Sequence, residues 1–356
     1  MVSRRMIAHR TLPALLVVLV GCHGAPASQT AASAASDGTR VLASHAIVLP
    51  GGPGLVRMDY IAYAEATHSL WVPAGNTGRV DVIDVTNETI ETIEGFPTVE
   101  MDTPRGRRVV GPSSVALADG VAFVGSRADD RICAIDSGTR AIGGCVTLPA
   151  MPDGVALVPS AHELWITLPR AQQLVVVHVD GAAAPTLAAT LPMEGQPEGY
   201  AVDDANGVFF TNLEDRDLTL AIDVATRAIR ATWDPHCSAG GPRGLLFDPD
   251  RRMLFVACTD GVVTLDVDHG GEVIGRVETG GGVDDLGYWR ARGLLYVASG
   301  LDATLRVVRA GDDGSLSVIA TASTATGARN AVVDETGRAF VTDSEGGRIV
   351  VVDAPP

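Results

Sequence analysis

An apolar triplet with a central aromatic residue recurs seven times along the chain. Successive aromatic positions are separated by 52, 42, 44, 46, 41 and 44 residues, and they are Trp71, Phe123, Trp165, Phe209, Phe255, Tyr296 and Phe340. Short apolar runs bounded by Gly, Pro and Asp are typical of β-strands, and helical hydrophobic spacing is absent. A period in the forties built from strands alone is typical of a β-propeller, with one sheet, or blade, per repeat. The repeat therefore predicts an all-β, seven-bladed β-propeller.

Residues 241–267, GPRGLLFDPDRRMLFVACTDGVVTLDV, show how one blade is built. Three apolar runs, Leu245–Phe247, Met253–Ala257 and Val262–Val267, are separated by turns rich in Asp, Pro and Gly and predict three antiparallel strands. The middle run is apolar throughout, so both of its faces must be covered. Neighbouring copies of the repeat have to supply that cover. A fourth, outer strand follows in six repeats, for example over Glu272–Glu278.

The seventh repeat has no segment for a fourth strand after it. The segment Val41–Leu49 precedes the first inner strand and has the length and composition of the missing strand. We therefore expect an N-terminal strand to pair with the C-terminal blade and close the ring, which leaves no open seam. The predicted propeller domain spans residues 41–356.

The start of the chain reads as an export signal. A basic region with three arginines is followed by Leu12–Val20, an apolar stretch too short to span a bilayer. At the end of this stretch, Leu19-Val20-Gly21-Cys22 resembles a bacterial lipobox, in which the cysteine is lipidated and becomes the first residue of the mature chain. We expect a lipoprotein signal peptide over residues 1–21 and lipidation of Cys22. An ordinary signal peptide with an incidental cysteine is the alternative.

Residues 22–40 are almost all small and polar after Cys22 and predict a flexible tether. Such a tether would hold the propeller away from a membrane surface.

Four further cysteines form two local pairs. Cys133 and Cys145 fall on the third and fourth strands of one blade, and Cys237 and Cys258 flank a hairpin of the inner and second strands of another. Both pairs have the placement of cross-strand disulfides, which form in oxidising compartments outside the cytosol. Four free buried thiols are the alternative. No CxxC motif supports a metal site at these cysteines.

The charge balance excludes several classes of function. The net charge of −16 argues against binding to nucleic acid. All 27 basic residues are arginine, so a Schiff-base lysine, a P-loop and a Ser-x-x-Lys nucleophile are excluded. The chain also has no HExxH or GxSxG motif, and no catalytic residue is assigned from the sequence.

The remaining candidate site is the mouth of the propeller channel. Inner strands line the channel and begin on the face that also carries the loops after the second strands. Carboxylate and amide oxygens at these starts are hard ligands, suited to calcium or another divalent cation. The candidate metal ligands are Glu198, Asp285, Asn330 and Asp153, and the further channel-mouth residues are Asp59, Ser114 and Arg243. Carboxylates that are merely solvated, or paired with Arg243 and Arg329, are the alternative.

The repeat Pro-x-Gly-Leu-x-x-Asp, Leu-Phe-Val-Ala-Cys and Leu-Asp-Val, together with Leu295-Tyr296-Val297-Ala298-Ser299, resembles the YVTN or YncE-like family of seven-bladed propellers. The resemblance covers essentially the whole predicted mature chain, although most blades replace the tyrosine by Phe or Trp. It implies an exported bacterial protein, in a family with few assigned activities. A second, weaker resemblance, to the gluconolactonase and senescence-marker propellers, implies a divalent metal held in the channel by Glu, Asn and Asp. Residues Glu198, Asn330 and Asp285 or Asp153 match these types, but the flanking motifs are missing.

Two functions of different classes follow. The first is a binding or scaffold module, lipid-anchored at the periplasmic or outer face of a bacterial outer membrane, whose partner is an envelope protein or a small-molecule ligand. The alternative is a metal-dependent lactonase-type hydrolase, in which a channel metal polarises an ester carbonyl and a carboxylate activates water. We favour the first, because a fold alone does not confer activity, and we expect a monomer.

Overall fold

A computed structural model describes residues 39–103, 106–237 and 240–356. The predicted signal peptide, the lipidation site Cys22 and nearly all of the predicted tether lie outside these ranges. Within them the chain forms consecutive antiparallel sheets, so the all-β prediction is confirmed.

Seven sheets follow one another along the chain, six of four strands and one of five, which confirms the seven-bladed propeller. In each blade the strands run in the order inner, second, third and outer. Blades 1 to 3 consist of Ala62–Ala64, Ser69–Ala74, Arg79–Asp84 and Thr89–Glu94; of Pro112–Ala118, Val121–Ser126, Arg131–Asp136 and Ile142–Thr147; and of Val155–Val158, Glu163–Leu168, Gln173–His178 and Thr186–Pro192. Blades 4 and 5 consist of Pro197–Asp203, Val208–Leu213, Leu218–Asp223 and Ile229–Trp233; and of Pro242–Asp248, Met253–Cys258, Gly261–Asp266 and Glu272–Glu278. Blades 6 and 7 consist of Leu286–Trp289, Leu294–Ser299, Thr304–Ala310 and Leu316–Ser323; and of Ala331–Val333, Ala339–Asp343, Arg348–Val352 and Ser44–Val48.

The second strand of every blade is buried along its whole length. It lies inside its sheet, and the neighbouring blades cover both faces, as its uniformly apolar sequence predicts. All seven aromatic positions of the repeat fall on these strands and are at most 1% exposed. The rings of Trp165 and Phe209 stack across blades 3 and 4 with centroids 4.7 Å apart. The aromatic repeat is therefore the core that joins one blade to the next.

An aspartate at the end of the third strand closes the turn to the outer strand in several blades. The Asp84 carboxylate accepts a hydrogen bond from the amide of Thr86 at 2.8 Å, and Asp223 accepts one from Thr226 at 2.6 Å. Asp and Asn side chains stabilise turns in this way. The amide of Val85 also donates to the carbonyl of His68, so the turns after the inner and third strands share one face. The opposite face carries the loops after the second strands.

The ring is closed by the N-terminal strand, as predicted. Ser44–Val48 pairs antiparallel with Arg348–Val352 and becomes the outer strand of blade 7. The predicted segment began at Val41, but Arg40–Val41 pairs parallel with Leu316–Ser323 and forms a fifth strand at the edge of blade 6. The start of the described chain therefore joins the last two blades.

A two-stranded hairpin is inserted between blades 1 and 2. Its strands are Val99–Thr103 and Gly106–Val110, which pair with each other and with no blade in the described chain. The insertion explains why the first interval of the repeat is 52 residues and the others are shorter.

The helices of the described chain are single 3₁₀ turns in loops: Glu65–Thr67, Gly75–Thr77, Pro159–Ala161, Pro169–Ala171, Asp204–Asn206 and Arg290–Arg292. In residues 39–103, 106–237 and 240–356, no helix is long and apolar enough to cross a membrane.

Both predicted disulfides are present. Cys133 and Cys145 face each other directly in the register of the third and outer strands of blade 2. Cys237 bonds to Cys258 but lies outside any strand, in the connection from blade 4 to blade 5. The second disulfide therefore ties that connection to a second strand, and the cross-strand placement predicted for it is wrong. Two disulfides indicate an oxidising compartment.

Candidate functional site

A cavity of about 540 Å³ opens at the mouth of the channel. Its wall comes from the starts of inner strands and from the loops after second strands in blades 1, 2, 5, 6 and 7, together with the Gly106–Val110 strand of the inserted hairpin. The face predicted from the strand order is therefore the one that carries the cavity. Blades 3 and 4 contribute no residue to its lining in the described chain, so the cavity lies off the ring axis.

An arginine joins two carboxylates at the wall of this cavity. Arg127 follows the second strand of blade 2, and its Nη2 donates to Asp59 Oδ2 at 2.7 Å and also to Asp153. Burial alone would raise the pKa of Asp59, but the guanidinium groups of Arg127 and Arg329 outweigh it and hold that pKa below its usual value. For Asp153, burial and then the negative charge on Asp59 raise the pKa. The two carboxylates share the Arg127 guanidinium, which does not fully offset these effects at Asp153.

Two more arginines of the mouth are paired with acids. The Arg329 guanidinium lies 3.2 Å from Asp284 and 3.5 Å from Asp59, and Arg243 pairs with Glu214. The amide group of Asn330 donates to the carbonyl of Asp59 at 2.9 Å. The mouth is therefore a network of alternating positive and negative groups. The pairing of carboxylates with Arg243 and Arg329, the alternative noted from the sequence, is present.

Two carboxyl groups near this network have no arginine partner among the described residues. Asp285 accepts a hydrogen bond from the amide of Leu286 at 2.8 Å, yet burial, and then the charges on Asp284 and Asp59, raise its pKa to about 7. Burial, and then repulsion by neighbouring acids, likewise raises the pKa of Glu198 well above its usual value. A carboxyl group with a raised pKa keeps its proton to a higher pH, and its protonated form can donate a hydrogen bond.

Two tyrosines lie across the channel beside these acids. The ring centroids of Tyr60 and Tyr200 are 5.7 Å apart. Burial, and then nearby carboxylates, raises the pKa of both phenols, so both stay neutral. Tyr200 also lines an apolar groove of about 350 Å³, whose other walls are the inner strands of blades 2, 3 and 5 and the rest of that of blade 4. The charged mouth and the apolar part of the channel are thus distinct.

The predicted site residues divide into two groups. Asp59 and Arg243 line the mouth cavity. Ser114 is fully buried against Gly125, while its neighbour Ser113 lines the cavity instead. None of the four candidate metal ligands lines the cavity. These are Glu198, Asp285, Asn330 and Asp153.

The metal-ligand set stays a prediction. Asp153 already forms an ion pair with Arg127, and the side-chain amide of Asn330 donates a hydrogen bond to Asp59. Among the residues that the structure describes, no three His, Cys, Asp or Glu side chains are grouped so that they could hold a metal ion. The donors as arranged do not fit a metal, so no chemical step is derived through one.

Sequence reasoning gave no role to several residues that build the mouth. Arg57 and Asp284 line the cavity, Arg127 joins two carboxylates, and Glu214 pairs with Arg243. Asp284, Arg127 and Glu214 lie just before an inner strand or just after a second strand, so the strand order was the usable signal for them, whereas Arg57 lies five residues before the inner strand of blade 1. Sequence does not show which of two adjacent residues faces the channel.

Comparisons with known proteins support the fold assignment and assign no function. No family model matches the chain, and no curated protein matches its sequence. A crystal structure of the mitotic checkpoint complex contains a chain with a TM-score of 0.71 and 12% identity, covering 96% of this chain and 99% of that one. A chain of Kuenenia stuttgartiensis hydrazine synthase gives a TM-score of 0.70 and 12% identity, covering 86% and 97%. In all, 1411 chains of known structure match. Similarity at this identity shows the fold alone, which is a seven-bladed β-propeller.

Proposed function

We propose that this protein is an exported, lipid-anchored propeller of the YVTN or YncE-like type that acts as a binding module. The observation that carries the proposal is the mouth cavity of about 540 Å³, whose wall comes from five blades and the inserted hairpin. Its volume falls in the range of roughly 300–1,000 Å³ typical of small-molecule sites. A rigid ring that holds many side chains around one cavity suits recognition of a small ligand.

Export is supported by the two disulfides and by the signal-like first residues of the chain. The lipid anchor rests on Cys22, which follows the apolar stretch directly. Replacement by serine (Cys22→Ser) should move the protein from the membrane fraction of the producing bacterium to the soluble periplasm. If the variant fractionates like wild type, the anchor is wrong.

Binding at the mouth is tested by filling it. Thr326 lines the cavity and is exposed, so Thr326→Trp should block the opening without disturbing the core. Leu187→Trp, on the outer strand of blade 3, is the matched control at another exposed position. A library of neutral, cationic and anionic metabolites is screened for compounds that raise the melting temperature (Tm), since a ligand that binds only the folded state stabilises it. Compounds that act on wild type and the control but not on Thr326→Trp support the proposal. If no compound behaves in this way, the proposal fails.

The second candidate is the metal-dependent lactonase-type hydrolase. It is favoured by one observation, the two buried carboxyl groups of Glu198 and Asp285, whose pKa values are raised. Carboxyl groups with raised pKa values are typical of general acids and bases. Because the donor set does not fit a metal as it stands, this function ranks below the binding module.

A further inference from the structure

The lining of the mouth cavity is richer in arginine than the chain as a whole. The chain carries 43 acidic residues and 27 arginines. The cavity lining instead holds three acids, Asp59, Asp284 and Glu345, and five arginines, Arg57, Arg108, Arg127, Arg243 and Arg329. Two acids that pair with these arginines, Asp153 and Glu214, lie outside the lining, so the cavity surface itself is richer in arginine than the network behind it. An arginine-rich concave surface on an acidic protein favours small anions at that point.

Internal ion pairs account for three of these arginines. Arg127 pairs with Asp59 and Asp153, Arg243 with Glu214, and Arg329 with Asp284 and Asp59. These pairs fix the positions of the guanidinium groups before any ligand arrives. A ligand that binds them does not have to order them, which favours affinity.

Arg57 differs from these three. Its backbone is fixed by two hydrogen bonds, one from its amide to the side chain of Asn76 at 2.7 Å and one to its carbonyl from Gly75 at 2.8 Å. No ion pair of the described chain involves the Arg57 guanidinium, and the hydrogen bonds of Arg57 are made by its backbone, although the residue lines the cavity. A guanidinium offers five N–H donors in a planar fork that matches carboxylate and phosphate groups. Arg57 therefore presents an unused anion-binding group to the cavity.

A second, independent observation points to a ligand. Ser113 lines the same cavity and is 5% exposed, and its hydroxyl oxygen is buried without a hydrogen-bond partner in the described chain. Buried hydroxyl groups in native proteins are nearly always satisfied, and an unsatisfied one costs about 1–3 kcal/mol. A bound oxyanion would accept a hydrogen bond from it.

We infer that the mouth cavity binds a small organic oxyanion, a carboxylate or a phosphate ester, with Arg57 as its principal charged contact and Ser113 as a hydrogen-bond donor. The inference rests on the proposed binding function and names the ligand class of the same site. The volume of about 540 Å³ limits the ligand to a small molecule.

The test measures binding of inorganic phosphate, succinate and citrate to the full-chain protein by calorimetry and by Tm, at constant ionic strength set with chloride. At least one of the three should bind in the millimolar range or tighter. Arg57→Gln should raise its Kd about tenfold or more, as loss of a charge-assisted hydrogen bond does. Arg309→Gln, an exposed arginine on the third strand of blade 6, should leave the Kd unchanged. Glu345→Gln removes an exposed negative charge from the lining and should lower the Kd about twofold.

Three results would overturn the inference. One is the absence of binding for all three anions. Another is a Kd that responds equally to Arg57→Gln and Arg309→Gln. The third applies if Arg57→Gln does not fold, because Glu345→Gln then becomes the test. An anion Kd that Glu345→Gln leaves unchanged or raises would contradict the inference.

Failure of this inference is distinct from failure of the binding module. Neutral or cationic ligands that Thr326→Trp blocks would keep the module and overturn only the anion assignment. Oxyanion binding that persists in Thr326→Trp would place the anion site elsewhere and overturn the anion assignment. The binding module itself fails only if Thr326→Trp blocks no compound of the screen.

Discussion

The ring of Tyr60 lies 5.7 Å from the ring of Tyr200, although the first leads into blade 1 and the second stands on the inner strand of blade 4. The contact therefore crosses the channel. Gly154, at the start of the inner strand of blade 3, leaves room for it, because a Cβ there would lie 2.5 Å from Tyr200 Cε1. Packing among three separate blades thus depends on one missing methyl group.

The glycine gives the first prediction. Gly154→Ala should displace the Tyr200 ring from Tyr60 and lower the free energy of unfolding by about 1–3 kcal/mol, as overpacking does. Gly138→Ala is the matched control, since the nearest atom to a Cβ there is 3.5 Å away. Denaturant unfolding of both variants measures the difference. Equal stability of the two would show that the tyrosine contact tolerates the added methyl.

The closing strand gives the second prediction. Neighbouring residues of Ser44–Val48 differ in exposure, with Ile47 at 5% and Val48 at 49%. Ile47 packs in a core cluster with Phe340 and Ile349 of blade 7. Ile47→Asp should therefore lower the free energy of unfolding by about 3 kcal/mol or more, because it buries an unpaired charge.

Val48→Asp changes the same strand on its other face and should cost about 1 kcal/mol or less. Thermal and denaturant unfolding of both variants check the pair. Similar losses would mean that the strand does not seal the ring with the register described here.

The third prediction concerns pH. The Asp285 carboxyl has a pKa of about 7 in the folded protein and an ordinary value of 3.8. Between these two pH values the folded protein keeps a proton that the unfolded chain releases. The contribution of Asp285 to stability is therefore full below about pH 4 and is lost as the pH rises through 7.

Asparagine cannot ionise, so Asp285→Asn should remove this dependence. The Tm of the variant relative to wild type should increase from about pH 4.5 to about pH 8. Asp119→Asn, at an exposed turn of blade 2, is the control and should show a constant difference. A constant difference for Asp285→Asn as well would contradict the raised pKa.

The fourth prediction tests the metal site. If the channel binds a divalent cation, calcium should raise the Tm in proportion to the logarithm of its concentration, by mass action. Glu198→Gln and Asp285→Asn should each reduce that response, while Asp84→Asn, at the end of a third strand, should not. A wild-type Tm that neither millimolar calcium nor a chelator moves would make the metal prediction wrong and remove the electrophile of the lactonase-type function.

The fold was predictable because its signal is strong and repeated. Each of the seven aromatic residues falls on a second strand that both neighbouring blades bury, so local sequence and packing agree at every repeat. The inserted hairpin at Val99–Val110 was not predicted. Charged and apolar residues alternate only over residues 99–102, and no other repeat contains a counterpart to mark it.

The sequence predicted which strand starts form the mouth, but it placed the residue that faces the cavity only to within one position. The inner strand of blade 2 has a register shift where Ser113 has no partner between Pro112 and Ser114, and blade 4 has one at Gly199. An extra residue in a strand turns the following side chains to the opposite face. Sequence alternation does not reveal such bulges, which explains why Ser114 was expected at the cavity where Ser113 lies.

The seam between the first and last blades has a consequence for how such a ring can change in size. The only described strand pairings that join the chain's beginning to its end are those of Arg40–Val41 and Ser44–Val48 with blades 6 and 7. Gain or loss of one forty-odd-residue unit within blades 1 to 5 would leave these pairings intact. The number of repeated units and the strands that close the ring therefore depend on separate segments of the chain, so the number of blades can change without a change in the closing strands.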